Sequence, residues 1–290
     1  MIRKAVIPAA GFGTRFLPVS KSQPKEMLPI VDTPTIQYVV EEAVGAGVTD
    51  ILMIIGKGKR SIEEHFDRNW ELEAELAEKG REKELKAIRR ISDLANIHFI
   101  WQKELNGLGD AVSYARHHVG NEPFLLLLGD TLIESKVPVT RHLAEIYDRY
   151  NETVVALEEV PREKVNRYGV IGGKAIDGDL WLIDNLVEKP DPATAPSNLV
   201  IAARYAFSPK IFDCIDKTAP GKNGEIQLTD AMLRLLKNSA MYGFLFKGSR
   251  HDIGSKIDFL KTNVIYGLAH KELGREFREF IKTIAKDLGA

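Results

Sequence analysis

Four short apolar runs fall in the first 130 residues, and segments with helical periodicity separate them. They are Lys4 to Ala9, Asp50 to Ile55, Ile97 to Trp101, and the stretch FLLLLGD at 124 to 130. Runs that are apolar without alternation suit strands covered on both faces, and helices between them suit right-handed crossovers of a parallel sheet. After Pro34, Ile36, Val39, Val40, Ala43 and Val44 follow the i, i+3, i+4, i+7, i+8 rule of a helix. Leu108, Ala111, Val112 and Ala115 make a second such face. The charged stretch from Ser61 to about Leu94 reads as a long solvated helical region interrupted near Gly80.

The second half is mixed. Thr153 to Val160, Leu180 to Val187 and Leu199 to Ala206 are β-rich, with Gly172-Gly173 and Asp177-Gly178-Asp179 as turn signals between the first two. Helices dominate from Glu225, and Leu273, Phe277, Ile281, Ile284 and Leu288 line one face of the last. The expected fold is α/β: a Rossmann-like, mixed but mostly parallel sheet with helices on both faces, a small β-rich portion and C-terminal helices. No repeat or linker divides the chain, so residues 1–290 are expected to form one domain, with halves 1–150 and 151–290.

Composition excludes several classes. With 44% hydrophobic and 28% charged residues in 290, the chain can bury a large core. Forty basic against 41 acidic residues leave no global field to attract nucleic acid or a membrane surface, so neither is an expected partner. Any anionic ligand must be met locally. The single cysteine, Cys214, cannot form an intramolecular disulfide, and the opening MIRKAVIPAAG has no signal-peptide h-region, so the expected location is the cytoplasm.

The chemistry gathers at strand ends. AAGFGTRF, residues 9 to 16, follows the first strand as a glycine turn, yet no Gly-Lys-Ser/Thr makes it a P-loop, and Phe16 stands where a dinucleotide fingerprint needs glycine. Ligands of open parallel sheets collect outside the carboxyl ends of the strands. That rim is where Ala10 to Arg15, Gln102 and Gly129-Asp130 are expected. Arg15 and Lys25 add cations on a loop stiffened by Pro18, Pro24 and Pro29. Asp130 suits Mg²⁺, which takes one or two carboxylates beside substrate phosphates; it equally suits a turn cap.

The stretch AAGFGTRFLPVSKSQPKEMLPIVDTPTIQYVVEEA resembles the signature of sugar-1-phosphate nucleotidylyltransferases, and Lys25-Glu26-Met27-Leu28-Pro29 resembles the bacterial-type UTP:glucose-1-phosphate uridylyltransferases among them. GLGDAV at 107 to 112, GD at 129 to 130, YGVI at 168 to 171, VEKP at 187 to 190, APSNLVIAARYAF at 195 to 207, GEIQLTDAM at 224 to 232 and HDIG at 251 to 254 extend the likeness along the chain. Many of these relatives carry a proline before the strand-four aspartate, where this chain has LLLLGDTL.

The resemblance implies transfer of a uridylyl group from UTP to glucose 1-phosphate with Mg²⁺ as cofactor. It implies that Ala10, Gly11, Gln102 and Gly107 meet the nucleotide, Arg15 the leaving phosphates and Lys25 the α-phosphate. It further implies that Gly169, Glu188 and Lys189 meet the sugar phosphate, and that Asp130 and Asp252 hold the metal. Asp252 is expected on a turn between Ser249 and Gly254, with His251 supporting that turn. A homo-oligomer, dimer or tetramer, is expected through the 61 to 94 helices and the apolar C-terminal helix. Two rivals stay open at this point: a metal phosphohydrolase built on His251-Asp252 with His117-His118, and an inactive nucleotidylyltransferase fold serving as scaffold. UTP over dTTP and glucose over other hexoses stay open too, because one methyl group discriminates by only about 1–3 kcal/mol.

Overall fold

The computed structural model describes residues 1–221 and 224–289. Its first half runs β1 (Lys4–Pro8), a small hairpin of β2 (Pro29–Ile30) and β3 (Thr33–Pro34), α1 (Thr35–Gly45), β4 (Asp50–Ile55), α2 (Arg60–Phe66), α3 (Trp70–Glu78), α4 (Glu82–Ser92), β5 (Asn96–Trp101), α5 (Leu108–Ser113), α6 (Arg116–Val119), β6 (Phe124–Leu127), β7 (Thr131–Glu134) and α7 (Val139–Tyr150). The second half follows with β8 (Thr153–Glu159), β9 (Gly169–Asp177), β10 (Leu180–Glu188), β11 (Leu199–Phe207), α8 (Lys210–Asp216), α9 (Leu228–Leu235), β12 (Met241–Leu245), β13 (Ser249–Asp252), α10 (Lys256–Ala269) and α11 (Gly274–Asp287).

Among the described residues, nine strands from both halves make one mixed sheet in the order β5-β4-β1-β6-β11-β8-β12-β10-β9. β5, β4, β1 and β6 are parallel. β11 then runs antiparallel to β6 and β8, β12 parallel to β8, and β10 antiparallel to β12 and β9. Val170 of β9 pairs back with Val200 of β11, so this end of the sheet curls onto itself. Period-two alternation explains the two cores. Ala5 and Ile7 point to one face, against Ile36, Val39 and Leu143. Val6 points to the other, against Val112, Phe212 and Met232. Both faces must be covered, hence the unbroken apolar runs.

Two expectations need correction. Gly172-Gly173 is not a turn but lies within β9, opposite an irregularity in β10 between Ile183 and Asn185. A Cβ on Gly173 would collide with the Leu182 carbonyl oxygen, so glycine is required by close strand approach. Asp177 to Asp179 does turn the chain into β10, with Gly178 at φ 52°. The charged 61 to 94 region breaks twice rather than once: besides Gly80, the chain stops between α2 and α3, where the Asn69 side chain accepts from the Leu72 N–H at 3.0 Å as an N-cap.

The rim is tightly made. Past β1 and β5, the Ala9 and Gln102 N–H groups donate to the Ile54 and Ile55 carbonyls at 2.8 Å, prolonging the ladder to the carboxyl ends. Gly129 lies so close to β1 that a Cβ there would be 3.2 Å from the Pro8 carbonyl oxygen. Glycine before Asp130 thus lets the acid follow directly beside the glycine turn. Among the described residues, no helix is long and apolar enough to cross a membrane.

Candidate active site

Two cavities open at this rim and share a wall. One, about 390 Å³, is bordered by Ala10, Gly11, Lys25, Gln102, Gly107 and Asp130. The other, about 300 Å³, is bordered by Gly169, Glu188, Lys189, Arg250, Asp130 and Asp252. Asp130, Leu108, Leu128 and Glu225 belong to both. The carboxylate that ends the β6 run therefore stands at the junction.

In the first cavity the glycine turn carries its conformation at Gly13, whose φ of 66° is left-handed. The stem of Lys25 lies across it, with side-chain carbons 3.2–3.3 Å from where a Cβ would be. This packing steers the ammonium to Asp130, where Nζ meets Oδ2 at 2.5 Å. Behind Lys25, Glu26 is buried in an ion pair with Lys59 at 2.7 Å. Gln102, itself buried, donates from Nε2 to Asp110 Oδ2 at 2.7 Å. Gly107 adopts φ 101°, and a Cβ there would be 2.8 Å from the Ile226 carbonyl oxygen, so its glycine is demanded by the chain's own approach.

The second cavity is held by β9 and β10, in which Gly169 pairs with Glu188. Glu188 accepts from the Thr229 hydroxyl at 2.6 Å and meets Lys189 Nζ at 3.1 Å. Lys189 has a left-handed backbone, φ 46°, held by its N–H donating to the Tyr168 carbonyl at 3.0 Å. Such a conformation in a non-glycine residue costs of order 1–3 kcal/mol and marks over-determined, often functional, positions.

Asp252 reaches the junction differently from expectation. SRHD is not a turn but strand β13, which pairs antiparallel with β7 so that Asp252 lies opposite Thr131, the neighbour of Asp130. The Ile253 N–H donates to the Asp130 carbonyl at 3.0 Å, and the Gly254 N–H donates to Asp252 Oδ1 at 3.0 Å. A Cβ on Gly254 would contact Asp252 Oδ1, Asp130 Oδ2 and Arg15 Nη1 at 2.9, 3.5 and 3.6 Å. Two carboxylates and the guanidinium thus converge on one glycine, although 122 residues separate the acids in the chain. Arg15 is otherwise exposed, on a short 3₁₀ turn (Thr14–Phe16).

The charges are strongly coupled. Burial opposes ionisation of Asp130, but the Lys25 ammonium, a backbone hydrogen bond and the Arg15 guanidinium together outweigh it and hold the acid below the ordinary carboxylate range. Burial likewise opposes charge on Lys25, yet Asp130 and Glu26 outweigh it and raise that pKa. Asp252 is pushed up, by burial and then by the negative charge of Asp130. A pair of oxygen donors that repel each other is the donor set a hard divalent cation relieves.

Several site residues escape a reading along the sequence. Arg250 donates from Nε to Glu158 at 2.5 Å and lies 4.3 Å over the Tyr168 ring. Arg204 is fully buried, with Nη2 donating to Glu42 at 2.8 Å and to the Thr131 carbonyl at 2.7 Å, which braces the turn after Asp130. The signal for Arg250 was its place beside His251-Asp252; for Arg204 there was only an arginine inside an apolar strand.

The phosphohydrolase arrangement is not assembled. His251 alternates away from Asp252 on β13, buried with its ring edge-on to Tyr266 at 5.8 Å. The His118 ring lies tilted against that of His98, centroids 5.0 Å apart, and the His118 carbonyl accepts from Lys4, at the opposite end of β1 from the rim. Among the described residues, no three His, Cys, Asp or Glu side chains are grouped to hold a metal.

Known proteins share this architecture. A Staphylococcus epidermidis UTP–glucose-1-phosphate uridylyltransferase is 47% identical over 283 residues, 98% of each chain. The structure of a UDP-glucose pyrophosphorylase complexed with UDP-glucose is 41% identical, with a TM-score of 0.84 over 92% of this chain and 98% of the other. A UTP-bound enzyme of the same kind from Acinetobacter baumannii is 37% identical, with a TM-score of 0.88 over 97% and 99%. The family model described as nucleotidyl transferase matches residues 4–267, which contain the whole of the nine-stranded sheet and the lining of both cavities, and the chain belongs to that family.

Proposed function

We propose that this chain transfers a uridylyl group from UTP to glucose 1-phosphate, giving UDP-glucose and pyrophosphate. The observation that carries this reading is the pair of cavities meeting at Asp130: one bordered by the glycine turn, Lys25 and Gln102, the other by Glu188 and Lys189. The names of the full-length relatives support it.

On this reading a phosphate oxygen of the sugar phosphate attacks the α-phosphorus in line and pyrophosphate leaves. The nucleophile is already an anion near neutral pH, so no general base is required. The obstacle is repulsion between two anions, met by fixed cations that also orient them. Lys25 serves the α-phosphate, Arg15 the leaving β- and γ-phosphates, and Lys189 the hexose phosphate. Glu188, already an acceptor for Thr229, takes sugar hydroxyls. Ala10, Gly11, Gln102 and Gly107 receive the nucleoside, and Gly169 leaves room beside Glu188. Asp130 and Asp252 would hold Mg²⁺, whose charge offsets that of the phosphates when it is bound.

The same proposal divides the chain into a nucleotide half, 1–150, and a sugar-phosphate half, 151–290, of one domain, and locates it in the cytoplasm. It includes a homo-oligomer, dimer or tetramer, supported by exposed Leu260, Leu273 and Phe280 around a cleft between α10 and α11; sedimentation velocity is its check. The decisive experiment for activity is a matrix of four nucleoside triphosphates against several hexose 1-phosphates with Mg²⁺, read as pyrophosphate release. Release with UTP and glucose 1-phosphate is expected. Phosphatase activity on either alone, or no activity with any pair, would refute the reading.

A further inference from the structure

A glutamine amide can face a ligand in two ways, because rotation by half a turn exchanges its carbonyl oxygen and its NH₂. The two faces read different pyrimidines. The pairing edge of uracil offers an N3–H donor beside the O4 acceptor. Cytosine, in the same pose, offers an N3 acceptor beside the N4–H₂ donor. A glutamine with its oxygen towards N3 therefore suits uracil, and the flipped amide suits cytosine. A free glutamine would accept both.

Gln102 is not free. Its Nε2 donates to Asp110 Oδ2 at 2.7 Å. An ionised carboxylate only accepts hydrogen bonds, so the NH₂ end must face Asp110 and the flipped amide would set oxygen against oxygen. Both groups are held. The Gln102 N–H continues the β4–β5 ladder through the Ile55 carbonyl, and the side chain is buried at the wall of the first cavity. Asp110 stands in the first turn of α5, whose start is locked by the Gly109 N–H donating to the Ile226 carbonyl at 2.9 Å.

We propose that Asp110 is a positioning residue that fixes the orientation of the Gln102 amide and so selects uracil over cytosine nucleotides. The inference rests on the reading of the first cavity as the base site. Thymine shares the N3–H and O4 edge of uracil, so the device discriminates against cytosine without separating UTP from dTTP.

The test is nucleotide preference in Asp110→Asn. Asparagine keeps the size of the side chain but presents either an oxygen or an NH₂ to Gln102, so both amide orientations become satisfied. The ratio of kcat/KM for UTP to that for CTP is expected to fall at least about tenfold, since a mispaired buried polar edge is what enforces such ratios. Part of the fall should be a rise in CTP turnover, which general loosening of the site would not produce. The UTP to dTTP ratio should hold. Asp110→Ser, which removes the fixed acceptor and leaves a hydroxyl that both donates and accepts, is the second variant and should show the same loss. An unchanged UTP to CTP ratio in a folded variant overturns the proposal. Gln102→Ala separates this from failure of the base-site reading: if its KM for UTP is that of the wild type, the base is elsewhere and both readings fall. If that KM rises while Asp110→Asn leaves the ratio intact, only the role of Asp110 is lost.

Discussion

Gly254→Ala adds one methyl group at the point where Asp130, Asp252 and Arg15 converge. Its Cβ would lie 2.9 Å from Asp252 Oδ1 and 3.5 Å from Asp130 Oδ2, whereas non-bonded heavy atoms find their optimum at roughly 3.5–4.0 Å. Asp252 must therefore retreat by roughly half an ångström or more, while Asp130, at the edge of contact, stays with Lys25. The backbone gives no reason for glycine here, because Gly254 is not among the residues with positive φ. Alanine is then conformationally allowed, and a restricted unfolded chain even favours the variant by about 0.4–1 kcal/mol. The fold should keep or slightly raise its Tm. Turnover should fall about tenfold to a hundredfold, the scale on which misplacement of an ångström or less damages a positioned site. The half-saturating Mg²⁺ concentration should rise in the same assay. Pyrophosphate release across a Mg²⁺ titration, with a thermal melt beside it, measures both. A variant that melts normally and turns over at wild-type rate and wild-type Mg²⁺ would refute the idea that the two acids work as a pair.

Lys25→Ala should lower kcat far more than it raises KM for UTP, since a charge that strengthens its contact as the α-phosphate reacts acts on the transition state; an unchanged kcat would remove it from the chemistry. Arg204→Met should cost about 3–5 kcal/mol, because it leaves Glu42 a poorly solvated, unpaired carboxylate. Adding Glu42→Leu should recover part of that loss in denaturant unfolding, and no recovery would mean that Arg204 acts through packing alone. Glu73 is held near pKa 2 by hydrogen bonds from Arg68 and Arg89, well below its ordinary 4.5. A lowered carboxylate pKa contributes stability that is complete above about pH 4.5 and lost as pH falls towards 2. The Tm gap between wild type and Glu73→Gln should accordingly be steady near neutrality and shrink below pH 4.5, and a gap that grows with acid would reverse the sign of the reasoning.

The central strands were legible because burial on two faces leaves no choice but continuous apolar residues, and FLLLLGD shows where such burial stops. β9 was not, because Gly172-Gly173 carries a turn composition for a different reason, the approach of the Leu182 carbonyl. β13 was not, because a four-residue strand of polar side chains has no apolar period to display; only its pairing with β7 makes it a strand. Site positions follow the same division. Ala10, Gln102 and Asp130 sit where strands end, and a sequence announces strand ends. Partners across the fold have no such mark: Arg250 meets Glu158 from 92 residues away, and Arg204 meets Glu42 from 162. Even Asp110, only 8 residues from Gln102, is hidden, since a β-strand, a loop and a helix start must all be placed before the two can touch. Local sequence sets which groups are presented at the rim, while the orientation of each group is set by a partner that becomes its neighbour only on folding. This is why Gln102 could be placed at the rim from its position and proposed for a base through the family resemblance, but which of its two faces it presents could be argued only from the carboxylate beside it.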